Sequence, residues 1–585
     1  MKTSLKSRLV GILAGCLFAV SSLFAPAHLS SAKAAEPKSI VTFSISSYSA
    51  VLEAGKVIAD QIGQGDTYGM FQGFLGALPG VDNKKPLGFV LFATDEEFLP
   101  VVFLPIGDLS KLTAVFPIID SLLSQNLEEV SPGKYSFSGP VELILEQKKN
   151  WLILYPESHP KLAAADPSVF LNGLDKKYLL AFHLNFENMP KELVLQMVSL
   201  GEMMVSMFNP DAASQFATVK EQVELLLNEG KYVLEGMNID PKTGDISAEV
   251  VMEVKPNGTF AEALKYQKDG KTNFIGFYRP EQAAAAIGIG IIPDAQKESQ
   301  ANIVKKYFAS AVEGVEEELE GDELEMVKGI LESLEEIAIA TIEDGKTDVA
   351  MSWKSTGEMF FGGRIAQGKK LNDVFKKIAA GISATVTDID VADFLKIEYT
   401  TFEGYKFTRL DLPFALMSAF NPNADLPEHL EDKSINLLIG VKNDAICGVI
   451  GTDASKLEAI LKKCITDSKA SAALPKTLFS FSLPRVAGAI QSLDLWPPEP
   501  PVVAVLDSLM SAPEGATITA GNEVTVNAQG VKNVMKVNFS GKIIAAVAQA
   551  VAAGKEAQMQ SALNSDPFDE TPETRKREKA RDFKF

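Results

Sequence analysis

Segments that read strand, turn, helix recur along this chain in one order, and that recurrence constrains the fold more tightly than any other feature. Ser39–Ile58, "SIVTFSISSYSAVLEAGKVI", and Thr272–Gly290, "TNFIGFYRPEQAAAAIGIG", each offer a short apolar strand ending in an aromatic, a turn and an Ala-rich helix. Lys85–Phe116 and Lys346–Ile378 each read as strand, turn, strand and helix. Lys148–Leu162 matches Lys442–Leu461, Lys176–Leu193 matches Pro475–Leu493, and Gly244–Tyr266 matches Asn522–Val551. Strand–turn–helix is too common for any one match to count. Five in a single order predict an internal duplication.

The strands alternate, as in "VTFSIS" and "LFSFSL", so one face of each is apolar. The helices that follow are amphipathic: in "SKLEAILKKC", Leu457, Ile460 and Leu461 fall on one side. An antiparallel sheet with helices on one face buries both sets. The predicted fold class is α+β, with two related domains, each an antiparallel β-sheet covered by helices on one face. The first domain is expected over 39–268 and the second over 269–555. Pro and Gly in "DPKTGD", Asp240–Asp245, predict a hairpin turn. The second domain carries an acidic insertion, 311–345, whose apolar spacing predicts two amphipathic helices broken near Gly321. Its charge run reads as a solvated helix face. Leu495–Val503, "LWPPEPPVV", reads as a stiff extended linker. Residues 556–585 read as a disordered charged tail, with the only local positive cluster at Arg575–Lys584.

The N-terminus predicts export. Lys2, Lys6 and Arg8 precede an apolar run, Leu9–Phe24, and small residues at Ala32 and Ala34 precede Glu36. These are the three parts of a signal peptide, residues 1–34, cleaved after Ala34. A competing reading is a lipobox, "LAGC", which would place a lipid on Cys16; the apolar region before that cysteine is very short. Beyond the leader no stretch approaches the roughly 20 apolar residues that span a bilayer. The chain is therefore expected in the periplasm or outside the cell, without a transmembrane span. Its net charge is −20, and the leader holds Lys2, Lys6, Arg8 and Lys33 with no acid, so the remainder is more acidic still. That balance argues against nucleic acid and against anionic lipid as partners. Beyond the leader only Cys447 and Cys464 remain. They pair as a disulfide if the helix carrying Cys464 folds back on the strand carrying Cys447; otherwise they are buried free thiols.

Recognisable catalytic machinery is missing. His159, His183 and His429 fall in separate segments, with no metal-ligand spacing between them. No GxSxG elbow, Walker loop or complete dinucleotide fingerprint occurs. Asp388, Asp390 and Asp393 lack the glycine turn and distal Glu of a calcium loop. One apolar feature is unusual: Met197, Met203, Met204 and Met207 share a predicted helix with Leu200 and Phe208. Thioether chains adapt to varied partners. The functional expectation is an exported non-catalytic protein, without cofactor or metal, that binds an envelope or extracellular macromolecule. The alternative is a carrier of an apolar ligand such as an acyl chain, lined by Met197, Leu200, Met203, Met204, Met207 and Phe208.

Overall fold

The computed structural model describes residues 36–76, 80–111, 128–137, 142–208, 220, 223–385, 391–414, 430, 433–493 and 499–564. The expected leader with Cys16, together with Asp388, Asp390, His429 and the end of the tail, lies outside them. The chain divides into two compact units. The first takes in Gln64–Asp269 and Gly521–Asn538 with the chain up to Asp60. The second takes in Gln61–Gly63, Gly270–Ala520 and the chain from Phe539 onward.

In the first unit the strands are β1 (Lys38–Ile45), β2 (Leu87–Ala93), β3 (Phe98–Leu104), β4 (Glu128–Ser131), β5 (Lys134–Phe137), β6 (Leu143–Lys148), β7 (Trp151–Pro156), β8 (Leu180–Asn185), β9 (Gly230–Ile239) and β10 (Ile246–Val254). Helices α1 (Tyr48–Gln61) and α2 (Gly65–Gly76) follow β1, α3 (Lys191–Phe208) follows β8, and α4 (Thr259–Asp269) follows β10. Antiparallel pairings place the strands side by side as β4-β5-β6-β7-β3-β2-β1-β8-β9-β10.

The second unit opens with β11 (Lys271–Thr272) and β12 (Ala284–Ile291), followed by α5 (Asp294–Glu318) and α6 (Gly321–Asp344). Next come β13 (Lys346–Trp353), β14 (Met359–Arg364), α7 (Lys370–Thr385), β15 (Leu395–Phe402), β16 (Tyr405–Pro413), β17 (Ser434–Lys442) and β18 (Ala445–Gly451). Helix α8 (Ala454–Asp467), β19 (Ala472–Ala473), β20 (Thr477–Ser482), α9 (Leu483–Leu493) and α10 (Pro500–Met510) lead to β21 (Thr517–Val526), β22 (Val531–Phe539) and α11 (Gly541–Asn564). Here the order is β15-β16-β17-β18-β14-β13-β12-β20. Setting aside the short strands β11 and β19, which pair with each other, both units share an order when strands are counted along the chain: 4-5-6-7-3-2-1-8.

Two separate sheets were the expectation, and twenty strands instead join in one sheet. A late segment explains part of this. Gly521–Asn538 groups with the first unit, where β22 hydrogen-bonds to β10 and occupies backbone groups that an open edge would leave unpaired. Val531 of that segment is fully buried in a cluster with Val254, Ala261 and Leu264.

Helices on one face were also expected, and the second unit has them on both. Leu438, Cys447 and Val449 point to one face and pack with Leu457 and Leu461 of α8. Ile439, Val441 and Ile446 point to the other and pack with Ile337 of α6 and Leu371 of α7. The cause is visible in "NLLIGVK" and "AICGVIG", which are apolar at both parities, as strands buried on both faces must be.

Three further expectations change. Ala284–Ile291 is a strand, not an Ala-rich helix. Ala favours helices, but β12 lies between β13 and β20 and buries Ala285, Ile287 and Ile289 in alternation, so period and position override propensity. Pro500–Val503 begins α10 rather than extending a linker, because prolines are tolerated in the first helical turn. The region expected to be disordered from 556 is helical through Asn564. The break near Gly321 is present, with the residue at φ +67° starting α6. Among the described residues no helix is long and apolar enough to cross a membrane.

Candidate functional site

In each unit some strands carry, on one face, apolar side chains that stay partly in water. In the first unit Phe43 of β1 sits directly across from Phe182 of β8 and Phe89 of β2. Phe43 and Phe182 are 37% and 38% exposed. On the other face of the same strands Thr42, Ser44 and Val90 are buried. In the second unit β12 presents Ala284, Ala286, Gly288 and Gly290 to this face, across from Trp353, Met351, Val349 and Thr347 of β13. Phe479 of β20 lies across from Ala286 on the other side. Val349 is 52% exposed, and Met351 and Phe479 are also exposed. Small residues along β12 thus form a low floor between taller apolar neighbours. A Cβ added at Gly288 would meet no atom within 4 Å.

On soluble proteins it is large contiguous apolar patches, rather than singly exposed side chains, that mark places other molecules cover. These side chains were not singled out from the sequence. The signal was present: "TFSI" and "AFH" put Phe43 and Phe182 at the parity opposite the buried Thr42, Ser44 and Ala181. A strand with one solvated face is expected to place polar groups there.

The Met-rich segment forms helix α3, with Met197, Leu200 and Met203 exposed. The side chains of Met204, Met207 and Phe208 lie outside the described residues. An open cleft of about 250 Å³ lies elsewhere in the first unit, lined by Ser46, Glu53, Lys176, Lys177 and Asn238 among others. None of the six expected apolar lining residues borders that cleft.

Among the described residues the titratable groups do not converge on one point. His159 lies in a turn, where its Nδ1 is 2.9 Å from Ser158 Oγ and 3.7 Å from Glu97 Oε1. The same nitrogen faces both groups, which is not the relay of a nucleophilic triad. His183 lies on β8 across from Thr42, its ring 5.4 Å from that of Tyr232. Burial holds its pKa below the usual value, favouring neutral imidazole. Asp393 is exposed in the short helix Val391–Phe394. Among the described residues no three His, Cys, Asp or Glu side chains form a metal-binding group.

Asp348 of β13 is the most enclosed carboxyl with a defined shift. Its Oδ1 accepts from Thr272 Oγ1 at 2.7 Å and its Oδ2 from the Asn273 N–H at 2.8 Å. Burial raises its pKa, and those two hydrogen bonds oppose the rise. Glu249 behaves oppositely. Burial pushes it up, but hydrogen bonds from Tyr178 and Lys177 outweigh that and leave it lowered. Both carboxyls read as structural anchors.

Cys447 and Cys464 are buried free thiols in one core cluster. Burial pushes both up, Cys464 to about 11, so neither is a ready nucleophile. No protein-family model matches the chain, no curated protein matches it, and no solved structure matches it.

Proposed function

We propose that this chain consists of two copies of one sheet-and-helix unit, exported from the cytoplasm, and that it works without catalysis by binding macromolecular partners. The common strand order supports the two copies, as do helices at matching connections: α1 and α2 after the first strand, α5 and α6 after its counterpart. Residues 311–345 then belong to a lengthened version of a helix pair that both copies carry. The observation that carries the binding reading is the half-exposed apolar face, present on the first and eighth strands or their neighbours in both units: Phe43 and Phe182 in one, Val349, Met351 and Phe479 in the other. An acidic chain keeps itself in solution by charge, which lets it carry such faces without collapsing onto itself. The carrier reading draws less support, since the cleft lies apart from Met197, Leu200 and Met203.

Oxidative footprinting tests the reading. Hydroxyl radicals modify exposed Met and Phe side chains in purified chain and in chain still within its native extracellular or envelope surroundings. Partner binding predicts that Met351, Phe43, Phe182 and Phe479 are modified less in the native setting, while Met559, exposed on α11, is modified equally in both. Equal modification of all five positions sinks it.

A further inference from the structure

We propose that Cys447 and Cys464 are joined by a disulfide in the functional chain, the structure holding their reduced form. This inference rests on the exported reading above, because a disulfide persists only in an oxidising compartment.

The geometry comes from the turn between β18 and α8. Asp453 caps α8, its carboxylate accepting from the Ser455 N–H at 3.0 Å. Cys447 lies six residues back along the strand, about 20 Å at about 3.3 Å per residue. Cys464 lies eleven residues forward along the helix, about 17 Å at about 1.5 Å per residue. Strand and helix fold back on each other, so the two positions come to nearly the same level. Both also sit in the one core cluster formed between that sheet face and the helix. Cys447 shares a sheet face with Leu438 and Val449, and Cys464 belongs to the buried stripe of Leu457, Leu461 and Ile465, all in one cluster. The Cys447 thiol now lies 3.5 Å from the carbonyl oxygen of Gly440, beside a residue with no side chain. A change of χ1 rotamer re-aims that sulfur.

The chemistry is two exchanges with a disulfide reagent, either an oxidoreductase or a small-molecule disulfide. One cysteine thiolate attacks a reagent sulfur, giving a mixed disulfide and releasing the first reagent thiol. The second cysteine then displaces the remaining reagent sulfur, forming the internal bond and releasing the second thiol. The two cysteine protons end on those released thiols, and the reagent is reduced by two electrons. Both sulfurs are closed off in the finished core, so the bond forms before α8 settles on the sheet.

Refolding tests the geometry apart from location. The full chain is denatured and reduced, refolded with glutathione disulfide, then unfolded in iodoacetamide and mapped by mass spectrometry. The expected result is a linked Cys447–Cys464 peptide pair, with neither of these two thiols alkylated. Two alkylated thiols, or a glutathione adduct on either, in chain with native circular dichroism overturn the proposal. Should refolding fail, chain harvested from cells without reduction decides by the same map. A linked pair on refolding with free thiols in harvested chain overturns the exported reading and the functional disulfide, while leaving the geometry standing. Reductant should lower the thermal midpoint of the wild-type chain and leave a C447A/C464A double variant unmoved.

Discussion

The first unit closes its buried sheet face with two short 3-10 turns, Pro160–Leu162 and Pro167–Leu171, whereas the second closes its own with the fourteen-residue helix α8. The sheets compensate. Under the turns stand bulky residues: Phe92, Phe103, Trp151 and Tyr155, with Phe103 edge-on to Trp151 at 5.7 Å. Under α8 the strands offer Ala350, Gly362, Gly440 and Cys447, and the volume comes from Leu457 and Leu461 above and from Phe274 and Phe277 beside them. With one strand order serving both, bulk moves between layers so long as the interior stays filled.

The contrast can be broken most directly by removing one roof residue from each side. Leu461→Ala should cost about 3–5 kcal/mol, because a fully buried leucine in a rigid helix leaves a cavity that cannot collapse. Leu162→Ala, in a short turn, should cost nearer 2 kcal/mol, because the turn can settle into the space. Urea unfolding of each variant checks this, and equal losses would show that the two roofs are equally rigid. A smaller effect sharpens the point about volume. A Cβ at Gly362 would stand 2.7 Å from both Phe274 and Phe277, so Gly362→Ala should cost about 1–3 kcal/mol. Pairing it with Phe277→Leu should return part of that loss. If it does not, the clash is not what holds the position at glycine.

These volume exchanges also mark the limit of what could be read from the sequence. The strands at 38–45, 87–93, 98–104 and 477–482 were legible because their alternation survives in a half-buried sheet. Helix α8 was legible from Leu457, Ile460 and Leu461. Strand β12 was misread because Ala and Gly carry little periodic signal and their role is set by β13 and β20, which lie far along the chain. The second helical layer over Ile439 and Val441 was missed for a related reason, since an apolar run at both parities gives no hint of which elements cover it. The candidate site was least legible of all. Exposure of Phe43 and Val349 is set by how far the elements packed on a sheet reach across it, and no residue pattern announces where that cover stops.

The gentlest test is acid. Asp348 has a folded pKa raised above its unfolded value of about 3.9, so the fold gains from its protonation as pH falls through the raised value and loses that gain as pH rises past it. Glu249 is lowered, so its contribution is present above its unfolded value of about 4.3 and is lost as pH falls. Acidification therefore favours the one anchor and loosens the other. Carboxyl chemical-shift titrations should place the Asp348 midpoint above, and the Glu249 midpoint below, the value each has in the unfolded chain, and Asp348→Asn should flatten the acid-side gain. A shift of either in the opposite direction would remove the electrostatic half of the contrast.

The placement of Gly521–Asn538 with the first unit bears on how such a chain is born. A polypeptide emerging N-terminus first must hold β10 without the strand it will bond to until most of the chain has followed. Over that interval β10 offers a naked edge to any passing segment, and pairings so distant along the chain form slowly. Maturation of the earlier half thus waits on synthesis of the later one, so a nascent chain released ahead of that segment would be the species most prone to misassociation.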